Sequence, residues 1–404
     1  MNPDREQILA LQERKLADLV EHCRRFSPDF ARRLAACPDG ELPLLTRRDL
    51  QTARDIHCTR VPADHGAISE QRTSGSTGEP VRVCKTEHVG QVWASMTRRF
   101  HDWHRTDFSQ TMLSVKVLFK KIERAPNWGP PATSFTRTGP AVGMPAASDA
   151  SEIWKVARDE RVGDLVIFPT NLKALLRLMK RDGLTLPDLR RVRTVSETVS
   201  DELRAECSAV LGLDLIDLYS SNEMGNIAIQ CPQSGLYHTL DDVVRVEVLR
   251  DDGTPCAPGE IGRVVVTDLH NYATPLIRYV CGDYAEVAEP CPCGLPLATL
   301  RRIMGRERNL ALRPDGRRVW PNFGLYSLSQ DVAPVHQYQV VQHSLDDVEV
   351  KLAVERELTD EELSTLTGLV ETNLGFPIKV RFTFFADRIP VPPSGKYEEF
   401  VSHA

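Results

Sequence analysis

Leu165-Val-Ile-Phe168 is a short, wholly apolar run, the length of a buried strand rather than of a helix. Asn171 to Met179 then alternates apolar and basic positions, as an amphipathic helix does. The same rhythm returns at Val192–Val195 with a helix over 200–211, and again at Leu215–Leu218. Strands alternating with helices imply βαβ units and a mainly parallel sheet.

Upstream, Met112–Leu118 is a further β-run, and a helix is expected over 87–105. Residues 119–150 are rich in Pro, Gly, Ser and Ala with little periodicity, which predicts a mobile surface loop. Near the N-terminus, Ile8, Leu11, Leu16, Leu19 and Cys23 recur at helical spacing, and Ser27-Pro28 reads as the cap and first turn of a second helix. Downstream of 243 the texture changes. Val243–Leu249, the turn at Asp251-Asp-Gly253 and Gly262–Thr267 predict antiparallel strands. Beyond Gly305, two strand-like runs, a helix near 359–373 and Ile378–Phe384 read as a small α+β domain. The expectation is an α/β protein. A large N-terminal domain over 1–305 holds mixed and parallel sheets with helices, and a small C-terminal domain covers 306–404.

At 404 residues the chain is long enough for two or three domains. A charged fraction of 26%, a hydrophobic fraction of 41% and a net charge of −6 exclude collagen-like, coiled-coil and disordered classes, and argue against nonspecific nucleic-acid binding. No run approaches the ~20 apolar residues of a membrane span. The polar start, Met1-Asn-Pro-Asp-Arg-Glu6, carries no secretory signature, so a cytoplasmic location is expected. Ten cysteines are too sparse for a disulfide framework.

Four segments could carry chemistry. In Arg72-Thr-Ser-Gly-Ser-Thr-Gly-Glu-Pro-Val81, closely spaced glycines and hydroxyls could wrap an anion, phosphate above all. It is not a P-loop, because Gly75 and Gly78 are too close and no Lys-Ser/Thr follows. Alone, it reads equally as a flexible turn. Tyr219-Ser-Ser-Asn-Glu223 sets one carboxylate at the end of an apolar run, where ligands of α/β sheets gather. That acid is either a helix cap or, beside bound phosphates, a magnesium ligand. Gly282-Asp283 could offer a carboxylate to a ribose diol or form an ordinary turn. Pro392-Pro-Ser-Gly-Lys396 puts a lysine on a terminal loop, where lysines are usually solvated.

As a set and in this order, these segments resemble the adenylate-forming enzyme superfamily, and within it the phenylacetate–coenzyme A ligase-like family. The resemblance runs from about Leu42 to the end. It is firmest across Tyr219…Glu223…Cys231, Gly235-Leu-Tyr-His238, Gly259-Glu-Ile-Gly262, Pro275-Leu-Ile-Arg278-Tyr279, Cys291-Pro-Cys-Gly294 and Gly305-Arg306. It implies that Thr73, Ser74, Gly75, Ser76, Thr77 and Gly78 hold ATP phosphates and that Ser196, Glu197 and Thr198 contact adenine, with Ser196 in place of the family's glycine. Asp283 would bind the ribose, Arg306 would sit near an interdomain hinge and the ribose, and Glu223 would be catalytic through Mg²⁺. Lys396 would neutralise charge developing at the α-phosphate. Tyr219, Ser220, Ser221 and Asn222 would lie beside the acid substrate. The chain departs from the family at Glu307-Arg308-Asn309, where relatives often carry Asp-Asp after the hinge Gly-Arg.

Cys231, His238, Cys291 and Cys293 offer three sulfurs and one imidazole, a set suited to structural zinc, against a reading as bystander thiols. The function implied is ATP- and Mg-dependent activation of a carboxylic acid, aromatic by resemblance, as an acyl-adenylate. Transfer to coenzyme A follows. The alternatives are transfer to an amine or carrier-protein thiol in natural-product or capsule assembly, and a non-catalytic nucleotide-binding homologue. Expected partners are the acid, ATP and the acceptor, with no nucleic acid and no membrane; a homodimer is compatible with the same reading.

Overall fold

The computed structural model describes residues 4–37, 41–73, 80–321, 332–386, 388–390 and 397–404. The chain divides into two compact units, Met1–Ile303 and Met304–Ala404.

The first unit opens with helices α1 (Arg5–Phe26), α2 (Pro28–Ala36) and α3 (Arg47–Thr52). Asp4 and Gln7 form a capping box on α1, and the Ser27 hydroxyl accepts from Phe30 N to start α2, with Pro28 in its first turn. A hairpin of β1 (Ile68–Thr73) and β2 (Val81–Thr86) flanks residues 74–79 and leads into α4 (Glu87–Trp103). Next come β3 (Thr111–Lys116), β4 (Glu123–Ala125), β5 (Ala141–Pro145), α5 (Ala150–Asp159), β6 (Val162–Ile167), α6 (Pro169–Asp182), β7 (Arg191–Thr194), α7 (Asp201–Leu211) and β8 (Leu215–Ser221). The unit closes with β9 (Gly225–Gln230), β10 (Tyr237–Thr239), β11 (Val244–Leu249), β12 (Ile261–Asp268), β13 (Tyr279–Val287) and β14 (Thr299–Arg306).

One 12-stranded sheet organises this unit, in the order β11-β12-β13-β14-β10-β9-β8-β7-β6-β3-β5-β4. From β5 through β3, β6 and β7 to β8 the pairs are parallel, and from β8 onward the pairs recorded are antiparallel. Strand β6 is buried along its whole length, as a central parallel strand covered on both faces must be. Its one acid, Asp164, accepts from Arg193 Nε at 2.8 Å and Nη2 at 2.6 Å. Leu113, Val115, Leu165, Ile167, Leu172, Leu176 and Val192 form one core, while Val83, Met96, Phe100, Ile227, Val264 and Leu300 belong to another around the antiparallel half.

The expected mobile loop at 119–150 is corrected by this architecture. Val142 and Met144 are buried, and β5 pairs in parallel with β3 from Met112↔Ala141 to Lys116↔Pro145. Gly143 gives the reason. A Cβ there would lie 2.3 Å from the Phe119 ring, so its absence lets the ring lie against the strand.

The second unit holds β15 (Ala311–Leu312), β16 (Arg318–Val319), β17 (Val335–Gln342), β18 (Val348–Val354), α8 (Asp360–Leu374), β19 (Val380–Phe385) and β20 (Phe400–Ser402). The sheet β19-β18-β17-β20 shares a core with α8 through Val340, Val350, Leu352, Leu366 and Val370. Thr359 and Glu362 box the start of α8, and Gly375 ends it with φ 84°.

Candidate active site

Strands β8 and β9 form a hairpin whose turn, Asn222-Glu223-Met224, carries the first predicted acid. The Ser221 hydroxyl accepts from Met224 N at 3.2 Å and holds the turn closed. Gly225 follows with φ 84°, and a Cβ there would stand 3.1 Å from Trp93 Cδ1 on α4. The positive φ favours glycine, and a Cβ would press on the Trp93 ring. Glu223 is buried and its Oε1 accepts from Arg47 Nη1 at 3.2 Å. Lys85 Nζ donates to the Asn222 carbonyl at 2.9 Å.

The second acid reaches the same place from a distant strand. Tyr219 OH donates to Asp283 Oδ2 at 2.9 Å. Strand β13 stands four positions from β8 in the sheet, roughly 19 Å away if the sheet were flat at about 4.8 Å per strand. A tyrosine cannot span that gap, so the antiparallel half curls until β13 faces β8. Asp283 lies inside β13 rather than in a turn, one residue after Gly282 at φ 80°.

Buried charge surrounds the hairpin turn. Burial lowers the Lys85 ammonium, against the pull of Asp268 and Glu223. Burial also pushes Asp268 up to about 6, although the His270 N–H and the Lys85 charge favour its ionised form. The Tyr279 phenol is raised by burial and by the nearby Glu223 charge, while a hydrogen bond from Arg47 works the other way.

At the end of β7, Ser196 has φ 71°, a left-handed conformation that glycine adopts without strain and serine does not. The Glu197 carboxylate accepts from Thr170 N at 3.0 Å and Thr170 Oγ1 at 2.7 Å, in the first turn of α6. A carboxylate in that position caps orphan N–H groups and complements the helix dipole.

A second cluster forms beyond the other end of β9. Cys231, His238, Cys291 and Cys293 each offer a ligand atom, and these atoms lie within 4.8 Å of one another. Cys231 and Cys291 sulfurs are 3.7 Å apart, and Cys293 Sγ is 3.3 Å from His238 Nε2. Tetrahedral zinc with bonds of about 2.0–2.3 Å needs ligand separations of about 3.5–3.8 Å, so the donor set fits. Burial pushes the Cys231 thiol up, but hydrogen bonds from Ser234 and backbone N–H groups outweigh it and the net shift is downward. Burial raises Cys293 to about 11, aided by its sulfur neighbours. A buried network braces this end. Tyr237 OH donates to Asp217 Oδ2 at 2.7 Å, Thr194 Oγ1 to Asp217 Oδ1 at 2.9 Å, and Gln230 Nε2 to the Gly235 carbonyl at 3.0 Å.

The phenylacetate-coenzyme A ligase of Thermus thermophilus is 25% identical over 391 residues, spanning 89% of this chain and 85% of the relative. The 2-hydroxyisobutyryl-CoA ligase, solved in its postadenylation state with an acyl-AMP, superposes with a TM-score of 0.76 at 16% identity, covering 99% of this chain and 90% of that one. An anthranilate CoA ligase bound to anthranoyl-AMP matches at a TM-score of 0.63 and 17% identity, over 82% of this chain and 65% of that one. Over most of its length the chain is similar to CoA ligases solved with acyl-adenylates and to phenylacetate-coenzyme A ligases. The relatives that match over most of the chain are phenylacetate-coenzyme A ligases, and residues 314–403 match the CapK C-terminal domain.

The structure brings together Tyr219 and Asp283 beside the turn of Ser221, Asn222 and Glu223, and separately Cys231, His238, Cys291 and Cys293. Ser74, Gly75, Ser76, Thr77, Gly78 and Lys396 lie outside the described residues, as does the side chain of Thr73. Arg306 ends β14, and its N–H donates to Asn309 Oδ1 at 2.8 Å. Where the sequence departs from relatives, Arg308 makes a two-pronged bond to Glu398 at 2.7 and 2.5 Å, and Asn309 Nδ2 donates to the Phe400 carbonyl. These residues anchor the strand that follows Lys396. Sequence reasoning missed Arg47, Lys85, Trp93 and Asp268 beside the site. Arg47 stands in Thr46-Arg-Arg-Asp49, whose visible signal was only a helix cap.

Proposed function

We propose that the protein activates a carboxylic acid by attack on the α-phosphate of MgATP, releasing pyrophosphate, and passes the acyl group from the adenylate to coenzyme A. The reading rests on one observation: the 2.9 Å bond from Tyr219 to Asp283 ties β13 to β8, the strand that leads into the turn carrying Glu223. A nucleotide lying across that edge would offer its ribose to Asp283 and its phosphates to the turn at Glu223 and the segment Thr73–Gly78. Ser196, Glu197 and Thr198 would border the adenine, and Arg306 the ribose side. Tyr219, Ser220, Ser221 and Asn222 would line the acid's approach, with an aromatic acid as the preferred class by analogy with phenylacetate and anthranilate ligases.

Glu223 fits a magnesium ion that arrives with nucleotide, because a single carboxylate needs phosphate oxygens to complete the coordination shell. Bound there, the ion would withdraw charge from the phosphates under attack. Lys396, carried by a C-terminal domain that begins near 306, would neutralise the α-phosphate and then withdraw to admit the thiol. Cys231, His238, Cys291 and Cys293 would hold a structural zinc ion that fastens the turn after β9 to the turn at 291–294. We assign the enzyme to the cytoplasm.

A second reading changes only the acceptor. The match of residues 314–403 to a CapK C-terminal domain is the reason to test an amine or sugar acceptor, as in capsule assembly, beside coenzyme A. ATP–pyrophosphate exchange across aryl and aliphatic acids tests the shared first step. Exchange is expected to depend on the acid, and Lys396→Ala is expected to lower it ~10²–10³-fold with melting unchanged. Exchange with no acid dependence, or equal exchange by the variant, contradicts the reading. Presenting coenzyme A, amines and carrier protein separately then assigns the acceptor.

A further inference from the structure

Glu223 is already engaged. Its carboxylate accepts from Arg47 Nη1 at 3.2 Å, and the two side chains are 10% and 25% exposed, so water screens the pair weakly. The backbone beside Arg47 is fixed. Leu45 N donates to the Arg278 carbonyl at 3.0 Å, Val280 N donates to the Leu45 carbonyl at 2.8 Å, and Thr46 with Asp49 boxes the first turn of α3. The guanidinium at the end of that anchored residue also bonds the Tyr279 hydroxyl. A second cation, Lys85, holds the carbonyl of Asn222, the residue before Glu223. The lone carboxylate of this turn therefore faces two cations.

A divalent ion arriving alone would have to break the Arg47–Glu223 pair and settle against both positive charges with one protein carboxylate to offer. A metal arriving with nucleotide meets a different balance. The polyphosphate supplies the missing oxygen ligands, and its negative charge accepts the donors that Arg47 gives up. Only the side chain has to move, since the main chain is held to β13.

We propose that Arg47 is a positioning residue that closes Glu223 to free divalent cations and yields it only to a cation delivered with a nucleotide polyphosphate. This rests on the assignment of Glu223 as the magnesium ligand and adds an order of arrival to it. The chemistry recognised is that of a metal-bound polyphosphate, not of the bare ion.

The test titrates the full-length protein with Mn²⁺ alone, reading free Mn²⁺ by electron paramagnetic resonance, with melting as a control for folding. Arg47→Met is expected to bind Mn²⁺ at least tenfold tighter than wild type, and Arg47→Lys to stay within about threefold of it. The double variant Arg47→Met/Glu223→Gln is expected to return to the wild-type value. A merely structural arginine would lower stability without creating metal affinity. Unchanged Mn²⁺ binding in Arg47→Met overturns the proposal, as does tight binding that survives in the double variant. Failure of the metal assignment itself is read separately: Glu223→Gln alone would then leave Mn²⁺-ATP binding at the wild-type level.

Discussion

The two ends of β9 do different things with the same strand. At its start, the turn holding Glu223 has around it, among the described residues, two cations and a tyrosine-held aspartate, and on the proposed reading a metal there takes its remaining oxygens from phosphate. Past its end, Cys231, His238, Cys291 and Cys293 form a closed set whose donors already lie at zinc-compatible separations. Glu223 and Cys231 are eight positions apart, at most about 26 Å along the chain. On the proposed reading, one end holds shape and the other receives a ligand. Stability and catalysis should therefore be separable by mutation.

The largest effect is expected at the closed end. If the cluster holds the proposed zinc, Cys291→Ser removes a ligand and should lower the melting temperature by ~10 °C or more, because metal binding at such a site is folding energy. Metal analysis together with calorimetry checks this; an unchanged melting point would break the contrast between the two ends. Next is Asp268, which lies close to Lys85 at the open end. Its folded value of about 6 stands above the ordinary 3.8, so its contribution favours the fold below pH 4 and is lost as pH rises through 6. Asp268→Asn keeps an oxygen for the His270 N–H at 3.0 Å and cannot ionise. At pH 8 it should be more stable than wild type, by at most about 3 kcal/mol, and the gain should vanish by pH 4 in denaturant titrations. Stabilisation that is equal at both values would contradict the assignment.

A smaller effect is expected from Tyr219→Phe, which removes this one donor from Asp283 without opening a cavity. Loss of one hydrogen bond to a charged group should raise KM for ATP about fivefold to tenfold while the fold persists. The smallest is Ser196→Gly, which relieves a left-handed serine at φ 71°. That change should stabilise by at most about 1 kcal/mol, with little effect on nucleotide affinity.

Much of this was legible in local pattern. The strand–helix rhythm from Leu165 to Leu218, the cap at Ser27-Pro28 and the antiparallel texture after 243 are short-range signals, and local geometry obeys them. The strand at 141–145 was not legible, because it depends on Gly143 making room for the Phe119 ring, a contact that no window of composition reveals. The four zinc-type ligands could be named from residue type, but their convergence depends on the pairing of β10 with both β9 and β14. Arg47 was invisible for the same reason. It lies 176 residues from Glu223, and its neighbours read only as a helix start.

The most direct measurement is a single-turnover reaction of the full-length protein with MgATP and a panel of carboxylic acids, without thiol or amine, quenched and analysed by mass spectrometry. The account predicts acyl-adenylate in amounts close to the enzyme concentration for at least one acid, and none for Lys396→Ala on the same timescale. Bound ATP that remains intact with every acid would contradict it.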